Sequence, residues 1–173
     1  MDASKLVFLD ESGVNTDMTR LYARAPGRQR AQDAAPLNTG QSTTILSSVR
    51  MDGETVFTAF AGAVNGEKFK AYLKELLIQT LKPGDIVIMD NLRAHKVSGV
   101  AEIVESVGAI VLYLPPYSPD FNPIEQMWSK IKAYLRKVKA RTVDTLLSAI
   151  PYAFTEVSLS DIFGWFSACG YSG

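Results

Sequence analysis

Pro83-Gly84-Asp85-Ile86-Val87-Ile88-Met89-Asp90 decides the fold class. A Pro-Gly turn leads into four apolar residues in a row, and an acid stops them. A continuous apolar run, rather than an alternating one, predicts a strand covered on both faces, as in a parallel sheet. Toward the C-terminus, the pattern predicts a helix over about 97–107 that ends at Gly108, then a second buried strand over 109–114. A turn follows at Pro115-Pro116-Tyr117-Ser118-Pro119, and a long helix runs from Pro123 to about Lys139. Two more helices are expected over 143–156 and 160–169, the last capped by Ser160 and ended by Gly170. Toward the N-terminus, Asn65 caps a helix with Phe69, Tyr72, Leu73, Leu76 and Leu77 at helical spacing, which Pro83-Gly84 stops. Before it, Asp52-Gly53 joins strands over 42–51 and 55–60 into a hairpin. Residues 5–10 read as a buried strand ending in a turn at Ser12-Gly13, residues 20–25 as a short strand, and 31–40 as a loop. Antiparallel strands running into strand–helix–strand–helix units predict an α/β fold, a mixed sheet flanked by helices, in one domain over 1–173.

The composition fits such a fold and excludes several others. The chain has 173 residues, 47% of them apolar, enough to bury a core without staples. One cysteine, Cys169, excludes an internal disulfide and a cysteine-rich zinc site, and one histidine, His95, excludes a multi-histidine metal centre. No basic-then-apolar leader and no apolar run of about 18 residues is present, so the expectation is a cytoplasmic chain with no membrane partner. Eighteen basic residues balance eighteen acidic ones, which at first argues against nucleic acid. Placement of the charges weakens that argument. Arg20, Arg24, Arg28 and Arg30 fall in one acid-free stretch, and Lys130, Lys132, Arg136, Lys137, Lys139 and Arg141 in another. Such runs are either solvated faces or a local basic footprint.

Three carboxylates stand at the ends of expected elements. Asp10 and Asp90 each close a strand, and ligands of open α/β sheets gather at such carboxyl ends. Glu125 opens the long helix. Each also has an ordinary structural job: an Asp can end a strand, and Asn122-Pro123-Ile124-Glu125 can form a capping box. At 100° per residue from Glu125, Ser129, Lys132, Arg136 and Lys139 fall within about 40° of it. Ile124, Trp128, Ile131, Leu135 and Val138 form a separate apolar face, and Lys130 and Lys137 point to solvent. Glu125 thus heads a basic stripe. Convergent carboxylates suit Mg²⁺, and a pair of such ions can activate an attacking oxygen and stabilise a leaving one. A basic stripe beside them suits a polyanionic backbone.

The residues around these acids resemble a known family. Asp90-Asn91-Leu92-Arg93-Ala94-His95-Lys96 and the run from Leu114 through Pro123-Ile124-Glu125 to Lys132 resemble the second and third motifs of DDE transposases, in the bacterial insertion-sequence branch of the Tc/mariner superfamily. Phe8-Leu9-Asp10-Glu11-Ser12 resembles the first motif, and 34 residues separate Asp90 from Glu125, a separation this branch favours. The resemblance implies a ribonuclease-H-like fold, with metal-dependent DNA cleavage at transposon ends and strand transfer into target DNA. It makes Asp10, Asp90 and Glu125 the catalytic, metal-binding triad for two Mg²⁺ ions, with Mn²⁺ as a substitute. Asn91 and His95 match positions beside the second acid, where His95 contacts phosphate, tunes a metal ligand or makes a structural hydrogen bond. Glu11 is adjacent to the first Asp but points to the opposite side of an extended strand. DNA contacts are expected from Asn91, His95, Ser129, Lys132, Arg136, Lys139, Arg20, Arg24, Arg28 and Arg30. Full-length relatives carry helix-turn-helix modules ahead of the catalytic domain, and Met1 leaves no room for one here. The chain then reads as the second frame of a split unit with a separately encoded helix-turn-helix subunit, as a cut piece, or as a truncated remnant, and the resemblance implies a homodimer assembled on DNA in a bacterial nucleoid setting. The same carboxylates would serve a ribonuclease-H-like nuclease without strand transfer, and a non-catalytic DNA-binding or assembly remnant is a further reading. A glycosidase, another two-carboxylate chemistry, explains neither the basic stripe nor the motifs.

Overall fold

The apolar run after Pro83-Gly84 forms β4 (Ile86–Met89), a central strand whose side chains enter a core on each face of the sheet, which explains its unbroken hydrophobicity. In the computed structural model, which describes residues 2–27, 29–38, 40–116 and 118–171, β4 pairs in parallel with β1 (Leu6–Val14) and with β5 (Ile110–Tyr113). On its other side β1 pairs antiparallel with β2 (Thr43–Arg50), which turns back into β3 (Thr55–Ala61). The sheet order is β3-β2-β1-β4-β5, and this is the expected mixed sheet. The hairpin turn uses Gly53 at φ 95°, a conformation costly for any residue with a Cβ.

Helices cover both faces. On one lie α1 (Gly66–Glu75) and α2 (Val100–Glu105), on the other α3 (Pro123–Val138), α4 (Val143–Thr155) and α5 (Leu159–Ala168). Strand alternation sorts the core accordingly. Val7, Leu9, Val87 and Met89 pack with Phe69, Tyr72 and Leu73 of α1. Leu6, Phe8 and Ile88 pack with Ile124 and Ile131 of α3, Ile150 of α4 and Phe166 of α5. Each fully buried large side chain, such as Phe8, stabilises the fold by about 1.5–3 kcal/mol. Asn65 caps α1 as expected, accepting a hydrogen bond from the Lys68 N–H. No helix among the described residues is long and apolar enough to cross a membrane.

Several expectations are corrected. The first strand does not end at Ser12-Gly13. Pairing with β2 carries it to Val14, and only its pairing with β4 stops at Leu9. Residues 20–25 form no strand, because Arg20 to Arg24 are exposed and pair with no sheet edge. α1 stops at Glu75, well before Pro83-Gly84. α2 is shorter than 97–107, because a 3-10 turn (Arg93–Lys96) and Gly99 at φ 95° precede it. β5 is an edge strand rather than a buried one: Ile110 and Leu112 face away from α1 and α2 and remain exposed. Ser158, not Ser160, caps α5, in a reciprocal capping box with Asp161. Val138, placed on the apolar face of α3, is exposed at its last turn.

Candidate active site

Asp10 stands one residue past the last β1–β4 pair, Leu9 with Met89, and Asp90 one residue past the same pair on β4. The register therefore sets both acids where the pairing of the two central strands ends, Asp90 just past β4 and Asp10 within β1, still paired with Ser47 of β2. Asp10 is 6% exposed. Its Oδ2 accepts a hydrogen bond of 3.0 Å from the indole Nε1 of Trp128 on α3. Burial pushes the Asp10 carboxyl up to about 7. A backbone hydrogen bond at Glu11 and the Trp128 bond pull it down without cancelling the rise, and the charge of Glu125 adds to it.

Asp90 is half-exposed and is held from the other face of the sheet. Its Oδ1 lies 2.6 Å from Nδ1 of His95 and accepts the Leu92 N–H at 3.2 Å. Nε2 of the same ring lies 2.7 Å from Oε2 of Glu11. The ring is fully buried and stacks on Phe69 of α1, with centroids 4.4 Å apart. Burial alone would depress the imidazole, but its hydrogen bonds to Asp90 and Glu11 outweigh that and raise it to about 10. Each ring nitrogen therefore donates to a carboxylate. Glu11 does point away from Asp10, as strand alternation predicts, and that direction delivers it to His95. His95 has no face left for a phosphate, which removes it from the expected DNA contacts.

Glu125 occupies the third position of α3 without a capping box. Asn122 has cap geometry, but its side chain makes no cap hydrogen bond. The exposed Glu125 carboxylate is thus not occupied by helix capping. It walls a cavity of about 430 Å³ together with Asp90, Asn91, Ser118 and Asn122 and the prolines of the 115–119 turn. Tyr117 lies outside the described residues. Asn122 is buried, and its Oδ1 has no hydrogen-bond partner among the described residues.

The three acids are brought together in pairs rather than as a closed cage. Asp90 and Glu125 share the cavity, and Asp10 senses the charge of Glu125. Among the described residues, no three His, Cys, Asp or Glu side chains stand close enough together to hold a metal ion. The donor chemistry nevertheless fits a hard divalent cation. All three are carboxylate oxygens, Asp10 carries a charge that burial penalises, and Asn122, whose buried Oδ1 has no partner among the described residues, is one of the cavity residues.

The basic residues separate into two groups. Lys132 and Arg136 are partly exposed on α3, with Ser129 exposed nearer Glu125. Arg20 meets Arg136 and Lys137 in a second groove of about 330 Å³, which Leu21 and Tyr22 also line. The chain thus folds its two basic runs onto one another. Other cations are engaged in the fold. Lys139, a C-cap at φ 55°, pairs with Asp33 at 2.6 Å. Arg141 donates to the carbonyl oxygens of Thr16, Met18 and Ala34. Lys130, expected to point to solvent, pairs with Asp161 of α5. Asn91, Arg24 and Arg30 are exposed, and Arg28 lies outside the described residues.

Residues 5–147 match the family described as DDE superfamily endonuclease. Among solved structures, the Mos1 strand transfer complex matches with a TM-score of 0.69 at 17% identity, over 97% of this chain and 51% of that one. The Mos1 mariner paired-end complex with Mn matches with a TM-score of 0.69 at 18% identity, over 96% and 54%. The catalytic core domain of BIV integrase matches with a TM-score of 0.57 at 14% identity, over 98% and 99%. At these identities the likeness is one of fold, which is ribonuclease-H-like. The chain spans about half the length of the Mos1 chains it matches. No curated protein sequence matches it.

Proposed function

Because the chain belongs to the DDE superfamily of endonucleases, we propose that it is the catalytic domain of a DNA transposase. In this reading it cleaves DNA at transposon ends and joins the freed 3′-hydroxyl to target DNA. The observation that carries the proposal is the point where the β1–β4 pairing ends, which sets Asp10 and Asp90 at matching register near a cavity that Asp90 and Glu125 of α3 line. The proposed roles follow from the geometry. Asp90 and Glu125, on the cavity wall, together with Asp10 of β1 would hold two Mg²⁺ ions, with Mn²⁺ as a substitute. Bound there, the ions would supply Lewis acidity at the scissile phosphate and a lowered pKa for the attacking oxygen. Trp128 fixes Asp10 by its indole N–H, so the first acid cannot rotate away from the site. Lys132 and Arg136, farther along the same helix, suit the flanking phosphates. In the first step water adds to phosphorus, the P–O3′ bond breaks, and a 3′-hydroxyl and a 5′-phosphate remain. In the second, that hydroxyl adds to a target phosphorus and displaces the target's own 3′-oxygen.

The proposal extends to partners that the chain's matches support only in kind. DNA is the substrate. A homodimer on DNA and a separately encoded helix-turn-helix subunit complete the assembly. The setting is the bacterial cytoplasm, with the nucleoid, and residues 1–173 act as a single catalytic domain. A nuclease without strand transfer is separated from a transposase by its products. A labelled duplex with a free 3′-hydroxyl, incubated with supercoiled plasmid and Mn²⁺, should give plasmid-joined label. Nicked plasmid without joined label would favour the nuclease, and no reaction at all would favour a non-catalytic role.

A further inference from the structure

His95 lies between two carboxylates from different elements. Glu11 comes from β1 and Asp90 from the end of β4, and the ring nitrogens lie 2.7 and 2.6 Å from them. The ring plane is set by stacking on Phe69 of α1. The His95 carbonyl accepts the hydroxyl of Tyr113 on β5 at 2.9 Å, and its N–H is bonded to the Leu92 carbonyl. Three of these contacts hold the ring itself, and the Tyr113 and Leu92 bonds hold its backbone. Both side-chain hydrogen bonds to Asp90 fall on Oδ1. Among the described residues none falls on Oδ2, while Asp90 lines the cavity.

We propose that Glu11 and His95 are a positioning pair for Asp90: Glu11 fixes the ring through Nε2, and the ring fixes Asp90 Oδ1, leaving Oδ2 as the oxygen presented to the cavity. The inference rests on the reading of Asp90 as a metal-holding carboxylate. It adds that β1 serves both acids. Asp10 faces α3 and acts directly, while Glu11, one residue on, faces α1 and acts through the imidazole. An imidazole fully buried between two partly exposed carboxylates is a poor choice for stability alone, since an apolar side chain of similar volume would pack as well or better in its place. What the array supplies is orientation, as carboxylate–histidine pairs do behind other metal sites.

The test uses Mn²⁺ as its probe and the whole chain. Calorimetry measures Mn²⁺ affinity for the wild type, Glu11→Gln, His95→Gln and Asp90→Ala, with thermal melting run in parallel. Glu11→Gln and His95→Gln should weaken Mn²⁺ binding by about tenfold to a hundredfold while melting within a few degrees of wild type. Asp90→Ala should weaken it at least as much. Loss of binding in Asp90→Ala with wild-type affinity in Glu11→Gln and His95→Gln would overturn the positioning role and leave the site reading standing. Wild-type affinity in Asp90→Ala would overturn both. Should His95→Gln fail to fold, Glu11→Gln and a spectroscopic measurement still decide. His95 is the chain's one histidine, so a long-range ¹H–¹⁵N spectrum reads a single ring. An Nε2–H proton protected from exchange by its bond to Glu11 is expected, and it should be altered in Glu11→Gln. A rapidly exchanging Nε2 proton in the wild type would overturn the pair.

Discussion

Asp10 keeps a carboxyl where only 6% of the residue meets solvent, against the indole of Trp128 and within reach of the charge on Glu125. Burial raises its pKa from 3.8 to about 7 in the folded chain. The folded state therefore binds a proton that the unfolded state has released between those values, and stability falls as pH rises through that window. Asp10→Asn removes the buried charge and keeps an oxygen for Trp128. In metal-free protein at pH 8 it should raise stability by on the order of 2–4 kcal/mol, with little change at pH 4, measured by urea unfolding at both values. Trp128→Phe keeps the ring and removes the N–H that Asp10 accepts. It should destabilise by about 1–3 kcal/mol and slow DNA cleavage more than its small shift in melting temperature explains.

At the scale of elements, the joint between β2 and β4 is a buried ion pair. Arg50 ends β2, and its guanidinium bonds both oxygens of Asp85, just before β4, at 2.6 and 3.2 Å. Burial alone would raise Asp85, but Arg50 and the Lys82 N–H hold it below its usual value. The stability it contributes is present above pH 3.8 and lost as pH falls further. Asp85→Asn leaves a buried guanidinium uncompensated and should cost about 3–5 kcal/mol, read by chemical denaturation at pH 7. The cations on and just after α3 divide by what they touch. Lys132→Glu and Arg136→Glu should weaken binding to duplex DNA and flatten its salt dependence. Arg141→Ala releases three carbonyls of the segment before β2, and should speed proteolysis there more than it weakens DNA binding. The strands and the long helix were legible in the sequence because apolar runs and caps are local signals. The roles of Trp128 and Glu11 were not. The Trp128–Asp10 bond spans 118 residues and the Glu11–His95 bond 84, so only the closed sheet brings the partners together. Alternation along β1 did give the direction of Glu11, and the one histidine was the partner to seek on that face. Residues 20–25 misled because an aliphatic–aromatic pair, Leu21-Tyr22, resembles a strand, and here it lines a groove against α3 instead.

At the scale of the whole molecule, the balanced charge is a sum over unlike parts. Acids gather where the pairing of β1 with β4 ends, the segment before β2 folds back on α3, and Arg20 joins Arg136 and Lys137 there. Lys139, Arg141 and Lys130 are engaged within the fold, so fewer cations are left for DNA than the sequence count offers. The chain alone should therefore bind duplex DNA weakly and lose it readily as salt rises. The central claim is that the cavity between Asp90 and Glu125 cuts DNA with the aid of divalent metal. Its most direct measurement is the single-turnover cleavage rate of supercoiled DNA in Mg²⁺ or Mn²⁺ for wild type and Glu125→Gln, a substitution at an exposed helix position. Cleavage that requires the metal, and is slowed at least about a hundredfold in Glu125→Gln, the rate equivalent of a few kcal/mol, with unchanged melting, is the predicted result. Equal rates in the two proteins, or cleavage that survives removal of the metal by chelation, would contradict it.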